Sequence, residues 1–372
     1  MADHKRILLL DGSPFCGGAQ ESFWSLASAL HEAEFPLLLL SADQSAGGLL
    51  ERASEQGIPC RPFVARHWPA SPSGVCQYAV DFRRFGQVWQ SALAEFQPAL
   101  IHANCLRSLL LLSKRRSAGI PLLLHDRDLR CPAFLPRLLS ARVKMLVAVS
   151  SAVAAKWQNL LAAEQIRVIP NGFVLPTWQA PENGGVASER PFTVLQVADF
   201  VPWKNHALFL ETVCLLSKKL PNLRAAIRGR VRNASEARCR QRVERQRQQL
   251  GLTNVVEIID SPGSADEAMR EADILLSCAE AEPFGRVLIE ALALGKVVVA
   301  VDGGGPAEIL RNQSCGSLCP AEPEAFAQAV LAWQQEKKYL QAASAARALA
   351  EKYSLPAHLA ALTEVYEQML SR

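Results

Sequence analysis

The stretch Glu282-Pro283-Phe284-Gly285-Arg286-Val287-Leu288-Ile289-Glu290 sets one carboxylate in a loop and a second inside the helix that follows. The apolar run Ile274-Leu275-Leu276-Ser277 reads as a strand feeding that loop, Gly285 permits close backbone approach, and the residues from Val287 to Leu294 read as helical. A helix start presents free N–H groups and the positive end of the dipole, so an anion such as a diphosphate can dock there. Glu290 lies about five residues in, roughly 7–8 Å along the axis, within reach of a sugar hydroxyl beside a phosphate. Carboxylates repel phosphate but accept hydrogen bonds from vicinal hydroxyls, as they do from ribose in dinucleotide folds. Glu282 and Glu290 are therefore expected to bracket a nucleotide sugar. Taken singly they are a loop residue and a solvated helix residue; the Glu-Pro-Phe-Gly context argues for the paired role.

The elements that must position them come in two series. At 372 residues the chain exceeds what one core usually serves, so two domains are expected. Short Leu/Val/Ile runs alternate with longer periodic segments, the pattern of parallel sheets wrapped by helices. Strands are expected at 6–11, 36–41, 60–64, 99–103, 120–125, 144–149 and 166–169, with helices at 19–33, 46–56, 81–96, 105–118 and 150–163. Pro170-Asn171-Gly172, Pro176, Pro181, Asn183-Gly184-Gly185 and Pro191 break the alternation and mark a linker. It restarts with strands near 192–198, 223–228, 254–259, 273–277, 296–301 and 315–318, and helices near 205–219, 235–250, 264–271, 285–294 and 322–336. From about 338 to 371 the chain reads as helical, broken at Ser354-Leu355-Pro356. The expectation is an α/β protein of two tandem Rossmann-like, doubly wound domains facing a central cleft. Their bounds are 1–172 and 191–352, with a linker at 173–190 and the helix 356–371 returning to the first domain.

With 49% hydrophobic and 20% charged residues, intrinsic disorder is excluded. The net charge of +4 is too small for a dedicated nucleic-acid binder; divided near residue 175, the halves carry +5 and −1. Eight arginines crowd 228–247, read as a solvated helix face, with an anionic membrane surface as the alternative partner. Aromatics are not interleaved with them, so single-stranded nucleic acid is not expected. No run reaches the ~18–20 apolar residues of a membrane span, and Ile7-Leu8-Leu9-Leu10 is too short for a signal-peptide core. The ten cysteines contain no C-x-x-C pair and are read as reduced thiols of a cytoplasmic protein. Cys315 and Cys319 lack the partners of a metal site, and no Asp-x-Asp triplet follows a second-half strand, so neither metal nor cofactor is expected.

The Glu-x7-Glu spacing resembles the signature of glycosyltransferase family 4, retaining enzymes of the GT-B fold. The resemblance extends along nearly the whole chain. It includes Gly17-Gly18-Ala19-Gln20-Glu21, Ile101-His102-Ala103-Asn104, His125-Asp126, Val147-Ala148-Val149-Ser150, Ile169-Pro170-Asn171-Gly172, Pro202-Trp203-Lys204 and Gly304-Gly305-Pro306-Ala307-Glu308. It implies transfer of a sugar from a nucleoside-diphosphate sugar, with UDP-, GDP- and ADP-sugars as candidates, to a hydroxyl of a saccharide or lipid-linked acceptor. Polysaccharide, lipopolysaccharide or other glycoconjugate biosynthesis would be the setting, cytoplasmic or peripheral at the inner face of a membrane. Gly17 and Gly18 would admit the diphosphate and acceptor, Lys204 would neutralise the diphosphate, Glu290 would hold the ribose and Glu282 the transferred sugar. Amides around Phe284, Gly285, Arg286 and Val287 would meet phosphate oxygens, and His125 would reach the sugar from the first domain. Asn171, at the hinge, would be structural.

One position departs from the family. Where Gly-Arg-x-x-x-x-Lys is usual, the chain has Ala198-Asp199-Phe200-Val201-Pro202-Trp203-Lys204, so a carboxylate stands where an Arg would help neutralise the diphosphate. A unit charge ~5 Å from a phosphate is worth about 3 kcal/mol at an effective dielectric of ~20. Arg228 and Arg230 are expected to make good that charge. A sugar phosphorylase, a nucleotide-sugar epimerase or a non-catalytic nucleotide-sugar-binding subunit remain alternatives on the same fold.

Overall fold

The computed structural model describes residues 6–65, 72–112, 119–178, 190–260 and 265–371. The chain divides into two compact units, Met1–Val174 with Ser354–Arg372, and Leu175–Tyr353. Most of the expected linker, residues 66–71, the end of the 105–118 helix and residues 261–264 lie outside the described residues.

The first unit is built on seven parallel strands: β1 (Ile7–Asp11), β2 (Leu37–Ser41), β3 (Cys60–Pro62), β4 (Leu100–Asn104), β5 (Leu122–Asp126), β6 (Met145–Ala148) and β7 (Ile166–Val168). They lie in the order β3-β2-β1-β4-β5-β6-β7. The central strands are apolar at nearly every position because helices cover both faces of the sheet. Strand alternation divides their side chains. Leu8, Leu10, Leu38, Leu40 and Ile101 pack with Phe85, Trp89 and Trp157 on one face. Ile7, Leu9, Leu37, Leu39 and Leu100 pack on the other with Phe23, Leu26 and Leu30 of the helix Gly18–Glu32 and Leu362, Val365, Tyr366 and Met369 of the helix Leu355–Leu370.

The second unit holds six parallel strands, β8 (Phe192–Val197), β9 (Leu223–Gly229), β10 (Val256–Asp260), β11 (Ile274–Ser277), β12 (Val297–Val301) and β13 (Gly316–Cys319), in the order β10-β9-β8-β11-β12-β13. The helix His206–Ser217 packs on Pro323–Gln334, and Arg286–Ala293 on Ala343–Glu351. Both sheets are doubly wound. The strand order reverses between β1 and β4 in one and between β8 and β11 in the other, the points where open α/β sheets leave a crevice beyond the strands' carboxyl ends.

Three local expectations need correction. The expected helix 150–163 is a short helix, Ser151–Ala154, followed by 3₁₀ turns at Ala155–Trp157 and Ala163–Gln165. The buried Trp157 there donates through Nε1 to Asp126 Oδ2 at 2.7 Å, and Lys156 pairs with the same oxygen at 2.8 Å. These tertiary anchors override helical propensity. The helix expected at 81–96 begins at Pro72, whose fixed φ suits a first helical position. No helix is expected between 105–118 and 150–163, yet one forms at Phe134–Leu139, its Pro136 falling in the first turn, where proline is tolerated.

The short helix Gly304–Leu310 abuts the loop after β11. Gly305 N–H donates to Glu282 O at 2.9 Å, and a Cβ on Gly305 would lie 2.2 Å from Phe284 O. Backbone cannot give way as a side-chain tip can, so Gly305→Ala is expected to lower stability by about 1–3 kcal/mol in urea unfolding, the usual cost of overpacking.

Candidate functional site

In the second unit, the loops leaving the carboxyl ends of β8 and β11 meet at the switch point. The β8 loop passes Asp199 and turns through a 3₁₀ segment, Pro202–Lys204, stopped by Asn205 at φ 49°, which caps the next helix by accepting from Leu208 N–H at 3.3 Å. Gln196 Nε2 holds the turn by donating to Lys204 O at 3.0 Å. This presents the Lys204 ammonium above the Trp203 ring, 4.1 Å from its centroid, and in an ion pair with Glu282 from the β11 loop. Both side chains are largely buried, at 17% and 11% exposure, so each charge depends on the other for compensation. A second contact between the loops runs from Asn205 Nδ2 to Glu280 Oε1 at 3.2 Å.

Gly285, at φ 103°, turns the chain into the helix Arg286–Ala293. That region of backbone space disfavours side chains, which explains the residue. Phe284 is buried, edge-on to Tyr353 at 5.8 Å, so its ring anchors the loop and only its backbone is in a position to serve a ligand. Glu290 pairs with Arg286 Nη2 at 3.1 Å, one turn away. Each of the two expected sugar-binding carboxylates thus has a cation of the same neighbourhood beside it. Val287 sits in the first turn, where amides have no intrahelical acceptor.

The charges around Asp199 differ from expectation. Arg230 contacts it with Nε and Nη2 at 3.1 and 3.3 Å, and Arg232 with Nη2 at 2.8 Å. Burial pushes the Asp199 carboxyl up, but the Arg230 hydrogen bond and the charges of Arg230, Arg232 and Lys204 outweigh it and hold it below its ordinary range. Asp199 therefore gathers two guanidiniums, and Arg232 also pairs with Glu236 Oε1 at 3.1 Å, so two carboxylates balance the two cations. Arg230, expected together with Arg228 to make good the missing charge, is engaged by Asp199 itself. Arg228 stands on β9 with its Nε lacking a hydrogen-bond partner. Arg232 was not singled out by sequence; only its position two residues beyond Arg230 hinted at it.

In the first unit, Gly17 is an extended residue preceding the helix Gly18–Glu32, and its N–H donates to Gln20 Oε1 at 3.2 Å. Gln20 Nε2 in turn donates to Asp11 Oδ1 at 3.1 Å, at the end of β1. Asn104, ending β4, donates to the same oxygen at 2.7 Å and so closes this unit's switch point. Arg127 Nε donates to Asn104 Oδ1 at 2.8 Å, Arg127 Nη1 donates to Asn171 Oδ1, and Arg127 Nη2 lies 3.3 Å from His125 Nδ1. His125 is fully buried, stacked on His102 with ring centroids 5.3 Å apart, and 5.9 Å from the His358 ring. His358 Nδ1 lies 2.6 Å from Pro170 O. Neither His102 nor His358 had been assigned a role from the sequence.

Among the described residues the cysteines are free, and no group of three or more His, Cys, Asp or Glu is placed to hold a metal ion. No described helix is long and apolar enough to cross a membrane.

These buried groups predict an acid-sensitive fold. Burial, reinforced by the Arg127 charge, holds His102 and His125 well below their ordinary range and His358 at about 4. The unfolded chain then binds more protons below pH 6.5, so this stability is present above 6.5 and lost as pH falls toward 4, by ~3 kcal/mol for His358 alone. Asp11, pushed by burial up to about 6, acts in the opposite sense: its contribution is present below pH 4 and lost as pH rises to 6. Urea midpoints between pH 7 and 4.5 should therefore fall with acid in the native protein, fall less in His358→Gln and fall more steeply in Asp11→Asn.

Comparison with known proteins agrees with this layout. The family model "Glycosyltransferase Family 4" matches residues 16–175, and "Glycosyl transferases group 1" matches residues 182–349. A Mycobacterium tuberculosis phosphatidyl-myo-inositol mannosyltransferase is 30% identical over 190 residues, 50% of this chain and 48% of that protein. A Dictyostelium discoideum GDP-Man:Man(3)GlcNAc(2)-PP-Dol alpha-1,2-mannosyltransferase is 27% identical over 186 residues, 46% of this chain and 36% of that one. The matched region thus spans less than half the length of these two relatives. Among solved structures, Anabaena HepE in complex with UDP and glucose superposes with a TM-score of 0.82 at 24% identity, covering 98% of this chain and 100% of that one. A Rickettsia africae glycosyltransferase gives 0.79 at 19% identity, covering 99% of each. With one family model on each half, two doubly wound parallel sheets and the Glu-x7-Glu loop and helix in the second, the chain belongs to the glycosyltransferases of family 4, with the GT-B fold.

Proposed function

We propose that the protein transfers a sugar from a nucleoside-diphosphate sugar to an acceptor hydroxyl with retention of anomeric configuration. The observation that carries this is the buried Lys204–Glu282 pair at the second unit's switch point, one turn from the start of the helix Arg286–Ala293. An ammonium beside a helix start suits a diphosphate, and a carboxylate beside it suits sugar hydroxyls. Without ligand the two charges satisfy one another. With donor bound, Lys204 passes to the diphosphate and Glu282 to the transferred sugar, while Glu290 takes the ribose hydroxyls from its pairing with Arg286.

In the reaction the bond from the anomeric carbon to the diphosphate breaks, and a bond from that carbon to the acceptor oxygen forms on the same face. The acceptor proton goes to the departing diphosphate oxygen. The protein's share is orientation and fixed positive charge, from Lys204 and the helix start. In this reading those groups meet the leaving charge without a metal ion. The pairing of Asp199 with Arg230 and Arg232 supports a catalytic reading over a non-catalytic nucleotide-sugar binder, because its carboxylate already has cations to meet. The mannosyltransferase relatives, whose names include lipid-linked acceptors, support a glycoconjugate product and an acceptor held at a membrane surface.

Incubation with UDP-, GDP- and ADP-sugars and a panel of saccharide and lipid-linked acceptors should release the nucleoside diphosphate from one donor class, with product configuration matching the donor. Absence of transfer from every donor would contradict the proposal. Lys204→Met should lower kcat/KM at least 100-fold, about 2.7 kcal/mol, the scale of removing one preorganised charge from a transition state. Glu290→Gln should act mainly through donor KM. Excess EDTA should leave turnover within twofold; a larger loss would show that a metal shares the leaving charge.

A further inference from the structure

His125 Nδ1 faces two nitrogen groups, Arg127 Nη2 at 3.3 Å and His102 Nε2 at 3.3 Å. A guanidinium has only donors, so Nδ1 must be an acceptor and, in a neutral ring, the proton of His125 sits on Nε2. The assignment propagates. His102 Nε2 is then the donor toward His125, which leaves His102 Nδ1 to accept from Tyr366 Oη at 2.6 Å. Every nitrogen of His102 and the hydroxyl of Tyr366 are used in one direction, from the C-terminal helix through β4 to the end of β5. His358, the other imidazole beside His125, is fixed the opposite way: its Nδ1 has a carbonyl oxygen, that of Pro170, at 2.6 Å, so it carries its proton on Nδ1. Both outer nitrogens, His125 Nε2 and His358 Nε2, are buried without a hydrogen-bond partner.

We propose that Arg127 and the Tyr366–His102 chain lock His125 as a neutral ring with its proton on Nε2, making it a hydrogen-bond donor to a substrate oxygen at the carboxyl end of the first unit's sheet that takes up no proton during turnover. That the bound molecule is a substrate rests on the proposed function; the tautomer does not. A buried N–H without a partner is costly, and a ligand oxygen would return that cost on binding. The groups facing His125 are His102 from β4, Arg127 from the turn after β5 and His358 from the C-terminal helix. None is an anion, so nothing adjacent favours an imidazolium. Tyr366, His102 and Arg127 are positioning residues in this scheme, and burial leaves His125 and His102 with depressed basicity, in keeping with it.

The test uses the full chain labelled with ¹⁵N-histidine. Long-range ¹H–¹⁵N spectra at pH 7.5 and 6 should show His125 protonated on Nε2, His358 on Nδ1, and neither changing between the two pH values. A His125 protonated on Nδ1, or titrating near 6.5, overturns the proposal whether or not any donor is turned over. Tyr366→Phe should move the His102 and His125 ring signals and lower kcat 3- to 10-fold at unchanged donor KM; shifted signals with unchanged kcat would sever the chain from catalysis. His125→Gln, whose amide nitrogen reaches the Nε2 position, should retain at least ten times the turnover of His125→Met, and equal losses would show that no donor is needed there.

Discussion

A buried pair of opposite charges at the end of a parallel sheet organises the second unit. Lys204 and Glu282 come from loops that follow different strands, and little solvent reaches either. Removing one partner from such a pair typically costs 3–5 kcal/mol, because the other is left uncompensated in a poor dielectric. In the proposed function the arrangement has two satisfactory states, cation with carboxylate or cation with phosphate and carboxylate with hydroxyls. The 3₁₀ turn at Pro202–Lys204, the αL cap at Asn205 and the glycine turn at Gly285 all serve to hold these groups at one place.

The first unit solves the same topological problem with a network of hydrogen bonds around Arg127. Its switch point is closed by Asn104 donating to Asp11, and the network continues through Arg127 to three buried imidazoles. Every shared contact there is directional, so the network specifies orientation where the second unit specifies charge. Directional contacts among buried groups are costly when incomplete, and the two unpartnered imidazole nitrogens are where this one is incomplete.

Much of this was legible in sequence. The apolar runs Ile7–Leu10 and Val297–Val301 could belong only to strands covered on both faces, and the loop and helix around Glu282 and Glu290 followed from Gly285 and the periodicity after it. What escaped were contacts between residues far apart in the chain. Asp199 looked repulsive because its partner Arg232 is thirty-odd positions away, in an arginine-rich stretch with no periodic signal of its own. His358 and Tyr366 read as ordinary positions on an amphipathic helix until packing set one against Pro170 and the other against His102. The helix expected through 150–163 failed for the same reason, since the pull of Asp126 on Trp157 and Lys156 is not local.

The central claim is that Lys204 exchanges Glu282 for a diphosphate. It is tested most directly by calorimetric titration of the native protein and Glu282→Gln with bare nucleoside diphosphate, the base chosen by whichever of UDP, GDP or ADP the native protein binds. Without the competing carboxylate, Lys204 should bind that diphosphate more tightly, by several-fold, while affinity for the intact sugar donor falls. Unchanged or weaker diphosphate binding in Glu282→Gln would contradict the account.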